Sequence, residues 1–143
     1  MNVSVGKLIS RLYWCTQSYF ERELFSYGIG SGEIPVLLTL YNEGDLNQKI
    51  LTEKLFVDKA TVSREIRKLT QLGYIKRRRD ERDRRNYIIS LTVKGKMMVP
   101  KIREISIKWK EILLKNFSVE EKEFIIYAMK KMLENASSEV RKS

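Results

Sequence analysis

Histidine is missing from this chain altogether, and cysteine occurs once, as Cys15. The first absence removes the commonest general base and the commonest metal ligand. No Ser-His-Asp or Cys-His nucleophile system can be assembled without it. The single cysteine excludes an intramolecular disulfide and a cysteine-based zinc cluster. The seven glycines are scattered and form no phosphate-cradling loop. Only two prolines, Pro35 and Pro100, interrupt the chain. No apolar run approaches the roughly 18 residues that span a bilayer, and MNVSVGKLISRLYW at the N-terminus is too broken by polar residues for a signal peptide. These absences disfavour an enzyme. They point to a cytoplasmic protein with no cofactor, no metal site and no membrane partner.

What the chain has in excess is positive charge. Lys and Arg total 28 against 18 Asp and Glu, a formal charge of +10. Residues 1–47 hold three basic and five acidic groups, or −2; residues 48–91 hold 13 and six, or +7; residues 92–143 hold 12 and seven, or +5. Positive charge concentrated in this way is the footprint of nucleic-acid binding or of an anionic surface. With 43% hydrophobic residues the chain can also bury a core, and its length suits one domain, 1–143.

Hydrophobic spacing predicts a mostly helical chain. Residues 5–26 carry Leu8, Leu12, Cys15 and Tyr19 as one apolar stripe, and GIGSG at 28–32 ends the helix. A second helix over about 32–43 turns Val36, Leu37, Leu40 and Tyr41 inward, with Pro35 tolerated in its first turn. Asn47 is placed to cap a short third helix, QKILTEKL, that buries Ile50, Leu51 and Leu55. Asp58 is placed to cap a fourth, KATVSREIRKLTQLG, with Val57 and Val62 at staple positions. Val62, Ile66, Leu69 and Leu72 form its inner side, and Gly73 stops it.

Two short helices joined by a tight turn make a helix-turn-helix. The outer face of its second helix presents Lys59, Ala60, Thr61, Ser63, Arg64, Arg67 and Lys68. Small residues and hydroxyls permit close approach to base edges, and long basic side chains reach phosphates or guanine. Next comes IKRRRDERDRRNYIISLT, in which the ten residues Lys76 to Arg85 hold seven bases and three acids. Apolar, β-prone residues flank this run, so residues 74–79 and 86–91 read as a hairpin with 80–85 at its tip. A basic hairpin after a recognition-type helix is a wing, suited to the negative potential of a narrow minor groove. Asp80 and Asp83 are expected to pair with neighbouring arginines and aim them.

Beyond the hairpin, Thr92 is placed to cap a long helix to about Asn116, with Met98, Ile102, Ile105, Trp109 and Ile112 as a seam and Pro100 as a kink. Ser118 and Glu121 spell a capping box for a last helix lined by Phe124, Ala128, Met132 and Ala136. The fold class expected is mostly α with a small β-hairpin wing: a winged helix-turn-helix core at 32–95, with dimerisation helices at 1–26 and 96–143. The first and last helices carry more apolar surface than one small core can cover, so a homodimer is expected.

Residues 51–95, LTEKLFVDKATVSREIRKLTQLGYIKRRRDERDRRNYIISLTVKG, resemble the MarR family of bacterial and archaeal transcriptional regulators. The resemblance is carried jointly by the helix-turn-helix, the D-x-x-D-x-R wing of Asp80, Asp83 and Arg85, and the L-T-x-x-G that ends at Gly95. It implies a winged-helix homodimer joined through its N- and C-terminal helices and bound to a palindromic operator. It places Thr61, Ser63 and Arg64 nearest the bases. It puts Arg85 in the minor groove, braced by Asp83 and helped by Arg82 and Arg84. Two departures stand out: Phe56 occupies a turn position where a small residue is common, and Gly30 and Ser31 replace a frequent Leu-Thr pair. Many members answer to small phenolic or aromatic acids, for which Lys7, Arg11 and Tyr13 are candidate contacts. One branch senses hydroperoxides through a first-helix cysteine, but Cys15 lies on the apolar stripe, which favours a buried, structural thiol.

The function expected is therefore a ligand-responsive repressor that reads double-stranded DNA. The alternatives are an architectural protein that uses the same charge without reading bases, and a winged helix that serves as a protein-interaction scaffold.

Overall fold

The computed structural model describes residues 3–141. The chain forms two compact units, one ending at Ile107 and the other starting at Lys108. Among the described residues no helix is long and apolar enough to cross a membrane.

Helix α1 spans Val5–Leu24 and starts at Ser4, whose hydroxyl accepts the Lys7 N–H. Only Phe20 and Leu24, near its C-terminus, are buried. The stripe through Leu8 and Leu12 runs over exposed surface, and Cys15, expected inside, is exposed too. An apolar stripe records that a face needs cover. It does not say whether the same chain supplies it. A 3-10 turn, Phe25–Tyr27, then leads into α2, Ile34–Glu43, with Pro35 in its first turn.

Leu46–Asn47 form a short strand, β1, which the sequence did not announce. Asn47 also caps α3, Gln48–Lys54, by accepting the Lys49 N–H at 2.8 Å. Leu51 is buried as expected, whereas Ile50 and Tyr41 are exposed; the Tyr41 ring lies under the Arg103 guanidinium instead. The turn passes through Phe56 at φ 52°, in the left-handed region where a bulky side chain is an outlier. Helix α4, Lys59–Gln71, follows with Val62, Ile66 and Leu69 buried. Val57, expected to staple onto Val62, is exposed. At the far end Gly73 adopts φ 82°. Its N–H donates to the Thr70 carbonyl and the Tyr74 N–H donates to the Leu69 carbonyl, a complete Schellman closure.

Strands β2, Ile75–Arg79, and β3, Tyr87–Leu91, make the wing, with Arg77 opposite Ile89 and Arg79 opposite Tyr87. β1 pairs with the other edge of β3, giving a three-stranded sheet in the order β1-β3-β2. Helix α5, Val93–Leu113, starts at Thr92. The Thr92 hydroxyl donates to the Gly73 carbonyl and accepts the Gly95 N–H, tying the helix start to the end of α4. Met98, Ile102 and Ile105 are buried, Trp109 is half-buried and Ile112 is exposed. Pro100 lies within the helix without ending it. Helix α6, Val119–Val140, has the expected capping box at Ser118 and Glu121 and no buried residue.

Val36, Leu37, Leu51, Val62, Ile66, Leu69, Ile75, Ile89, Val99 and Ile102 are fully or almost fully buried. Each such side chain stabilises the fold by about 1.5–3 kcal/mol. They come from α2, α3, α4, the sheet and α5, so the helix-turn-helix and wing stand on one shared core.

Candidate nucleic-acid interface

Helix α4 presents its polar side from a firmly capped start. The Asp58 carboxylate accepts the Thr61 N–H at 2.9 Å and the Thr61 hydroxyl at 2.7 Å. That hydroxyl in turn accepts an Arg64 guanidinium N–H at 3.2 Å. The two Thr61 bonds, side chain first, hold the Asp58 carboxyl below the usual carboxylate range. The result is a chain from cap to Thr61 to Arg64 that restricts where the exposed arginine points. Lys59, Ala60, Arg64 and Arg67 are exposed, and Thr61 and Ser63 are half-exposed.

The wing tip is ordered by its acids. Asp83 accepts the Arg85 backbone N–H at 3.1 Å, Arg85 Nε at 3.1 Å and Arg85 Nη2 at 3.2 Å. These bonds hold the Asp83 carboxyl low and push the Arg85 guanidinium up. Asp80 differs from expectation. Its carboxylate accepts the backbone N–H of Arg82 at 2.9 Å, so it shapes the turn rather than aiming a guanidinium. Arg82 and Arg84 are exposed at the tip, and the Arg84 carbonyl accepts from Arg79 Nη1.

Between α4 and the wing runs a cationic groove. One part, about 430 Å³, is lined by Lys49, Lys59, Arg77, Arg85 and Tyr87 among others. The adjoining part, about 290 Å³, is lined by Gln48, Ser63, Arg67 and Arg77 among others. Gln48 and Arg77 border both. Arg77 lies 4.4 Å and Arg79 5.0 Å over the Tyr87 ring, so both are stacked rather than loose. The sequence placed both arginines in the basic run of the wing but did not single out either of them, or Gln48 or Lys49, as a contact residue. The available signal was the period of two in IKRRR, which puts Arg77 and Arg79 on one face beside the tyrosine opposite.

Of the residues singled out on α4 and the wing, the structure brings Ser63, Arg67, Lys59 and Arg85 around this groove, with Thr61 and Arg64 joined at the start of α4. Lys68 stands apart. Its ammonium lies 2.5 Å from the carboxylate of Glu33, on the other flank of the helix.

Compared with known proteins, residues 30–87 match the MarR family. The HTH-type transcriptional regulator SarZ of Staphylococcus aureus (strain USA300) is 38% identical over 88 residues, 62% of this chain and 57% of that protein. The match thus spans little more than half the length of that curated relative. A MarR transcriptional regulator from Methanosarcina mazei Go1 is 40% identical and has a TM-score of 0.86, covering 94% of this chain and 90% of its own. A mutant MarR from E. coli, solved in complex with operator DNA, is 22% identical with a TM-score of 0.81, covering 90% of this chain and 93% of its own. At that identity the likeness is one of fold.

Proposed function

From a chain that belongs to the MarR family of transcriptional regulators, we propose a cytoplasmic, sequence-specific regulator of double-stranded DNA that works as a homodimer on a palindromic operator. The observation that carries this reading is that two exposed arginines are aimed. Arg64 is held through Thr61 by the helix cap, and Arg85 is held by Asp83. A protein that only neutralises phosphates needs charge and gains nothing from fixed guanidinium directions. A protein that reads guanine edges or a narrow minor groove needs them. In this reading α4 enters the major groove with Thr61, Ser63 and Arg64 nearest the bases and Ala60 beside them on the same outer face. Lys59 and Arg67 meet phosphates, and the tip with Arg82, Arg84 and Arg85 enters the minor groove beside it.

Support for a homodimer comes from uncovered apolar surface. On α1, Leu8, Ile9, Leu12, Tyr13 and Trp14 are exposed, Trp14 at 67%. On α6, Phe124, Tyr127 and Leu133 are exposed, Leu133 also at 67%. A second copy of the chain would cover such faces, and two-fold symmetry would match a palindrome. Regulation by a small phenolic or aromatic acid is the remaining part of the proposal. Lys7 and Arg11 border a depression of about 400 Å³ on α1 with Trp14 and Cys15, suited to an aromatic anion. Tyr13 accepts a hydrogen bond from Gln17 at 2.9 Å and is not part of that lining.

The test is selection of bound duplexes from a random library at moderate salt. The expected result is an inverted repeat with half-sites about 10 base pairs apart, and Arg64→Ala relaxing preference at one position in each half-site. Tight binding with no enriched motif would support the architectural alternative.

A further inference from the structure

Helix α4 has two polar flanks with different surroundings. At about 100° per residue, Ser63, Arg67 and Thr70 turn toward the wing groove, which all three line. Glu65 and Lys68 turn the other way, toward the loop at residues 28–33. There Glu33 is one of two buried polar residues among the described residues, with its side chain 8% exposed. One carboxylate oxygen accepts the Gly30 N–H at 3.2 Å, and the other lies 2.5 Å from Lys68 Nζ. Glu65 approaches the same loop so closely that a Cβ on Gly32 would sit 3.0 Å from its Oε1. Burial first, and the Glu33 charge second, push the Glu65 carboxyl up, while Arg64 and, less strongly, Lys68 pull it down. The ammonium of Lys68 is the cation in direct contact with Glu33 at this junction, while Arg64 also acts on Glu65.

Resting on the DNA-binding reading above, we propose that Lys68 is not a DNA ligand and that Glu33, through Lys68, is a positioning residue that sets the angle of the recognition helix. The energetics favour this partition. A lysine moved onto a phosphate gains the release of a condensed counterion, a gain that shrinks as salt rises. Leaving Glu33 would keep the Gly30 N–H on a carboxylate more than nine-tenths buried but remove its counter-charge, which is unfavourable. Lys68 stays with Glu33. The loop that carries Glu33 follows α1 and its 3-10 turn directly and leads into α2. The ion pair thus fixes the last two turns of α4 against the segment that joins the α1 region to the helix-turn-helix.

The experiment measures the salt slope of operator binding and the affinity ratio between the operator and a copy with one substituted base pair. The full-length chains are wild type, Lys68→Met, Lys68→Arg, Glu33→Gln, the double variant Glu33→Met/Lys68→Met, and Arg67→Met as the comparator. Lys68→Met is expected to keep the wild-type salt slope while the affinity ratio falls about tenfold. Glu33→Gln should show the same loss, the double variant should be no worse than either single change, and Lys68→Arg should restore the ratio. The double variant replaces the pair by apolar side chains, so it is expected to fold even where a single change leaves one charge unpaired, and its thermal unfolding checks this. A fall in slope of about 0.9 for Lys68→Met, as one lost phosphate contact gives, with Glu33→Gln behaving as wild type, overturns the proposal. Wild-type behaviour of both single variants in both readouts overturns it equally. If wild type itself selects no operator, the DNA reading fails first and the positioning role falls with it.

Discussion

Asp83 grips Arg85 at three points, taking the backbone N–H and Nε on one oxygen and Nη2 on the other. The pair is solvent-exposed on the arginine side, 91% for Arg85, so it adds little to stability. Its effect is on direction. Asp83→Ala makes the protein one unit more positive and leaves Arg85 unaimed. If charge alone governed binding, the variant would bind DNA more tightly. The expected outcome is the reverse: operator affinity falls about tenfold, with only a small loss of Tm from the freed Arg85 and Asn86 donors. Titration of the variant against a labelled operator decides it, and tighter binding would reduce Asp83 to a damper on the wing's field.

The cap of the recognition helix gives a second expectation. Asp58→Ala removes the acceptor of the Thr61 N–H and hydroxyl and so loosens Arg64 as well. Tm should drop and base discrimination should weaken together. The pH dependence follows from the lowered Asp58 pKa. A carboxyl with a depressed folded pKa contributes stability above its unfolded value, about 3.9, and loses it as pH falls through the folded one. The variant should therefore show a shallower loss of Tm in acid than wild type. Parallel curves would mean that the cap carries no net ionic contribution.

Much of this was legible because it is local. Asp58, Gly73 and the Val62, Ile66, Leu69 spacing lie within or beside a single helix, and each acts over three or four residues. The wing was legible because a charge run between β-prone segments has few other resolutions. β1 was not, since two residues carry no period and Leu46 becomes a strand only by pairing with Ile89 across the chain. Nor was the place of Lys68. Helical spacing marks it as outward, and only the tertiary fold brings Glu33 beside it. The exposure of Leu8, Leu12 and Cys15 belongs to the same class, because periodicity fixes the face of a helix and not its cover.

The glycine that ends the L-T-x-x-G signature has a packing reason. A Cβ on Gly95 would lie 2.1 Å from the Tyr74 carbonyl oxygen, a backbone atom that cannot rotate away. That carbonyl also accepts the Thr92 N–H at 3.1 Å, so it is fixed where α4, the wing and α5 converge. Gly95→Ala should destabilise the fold by at least about 2 kcal/mol, read by urea denaturation. Because the displaced strand carries the wing, operator binding should weaken in the same variant even at temperatures where it remains folded. A change in Cm smaller than that of an ordinary surface substitution would show that α5 can shift to make room.

Glu65 gives an expectation of opposite pH sign. Its carboxyl is pushed up by burial and by Glu33, with Asp58 adding to the rise and Arg64 and Lys68 opposing it. A carboxyl whose folded pKa is raised contributes stability that is fully present below the unfolded value, about 4.3. That contribution is lost as pH rises through the folded pKa, since the folded state binds the proton more tightly than the unfolded chain. At neutral pH the ionised side chain is therefore a burden. Glu65→Gln keeps the shape and removes the charge, so its Tm should exceed that of wild type near pH 7, and the advantage should vanish toward pH 4. Thermal unfolding followed by circular dichroism across this range tests it. A variant less stable than wild type at neutral pH would mean that the Lys68 and Arg64 cations draw net stabilisation from the Glu65 charge, and the acidic junction would then have to be read as balanced rather than overfilled.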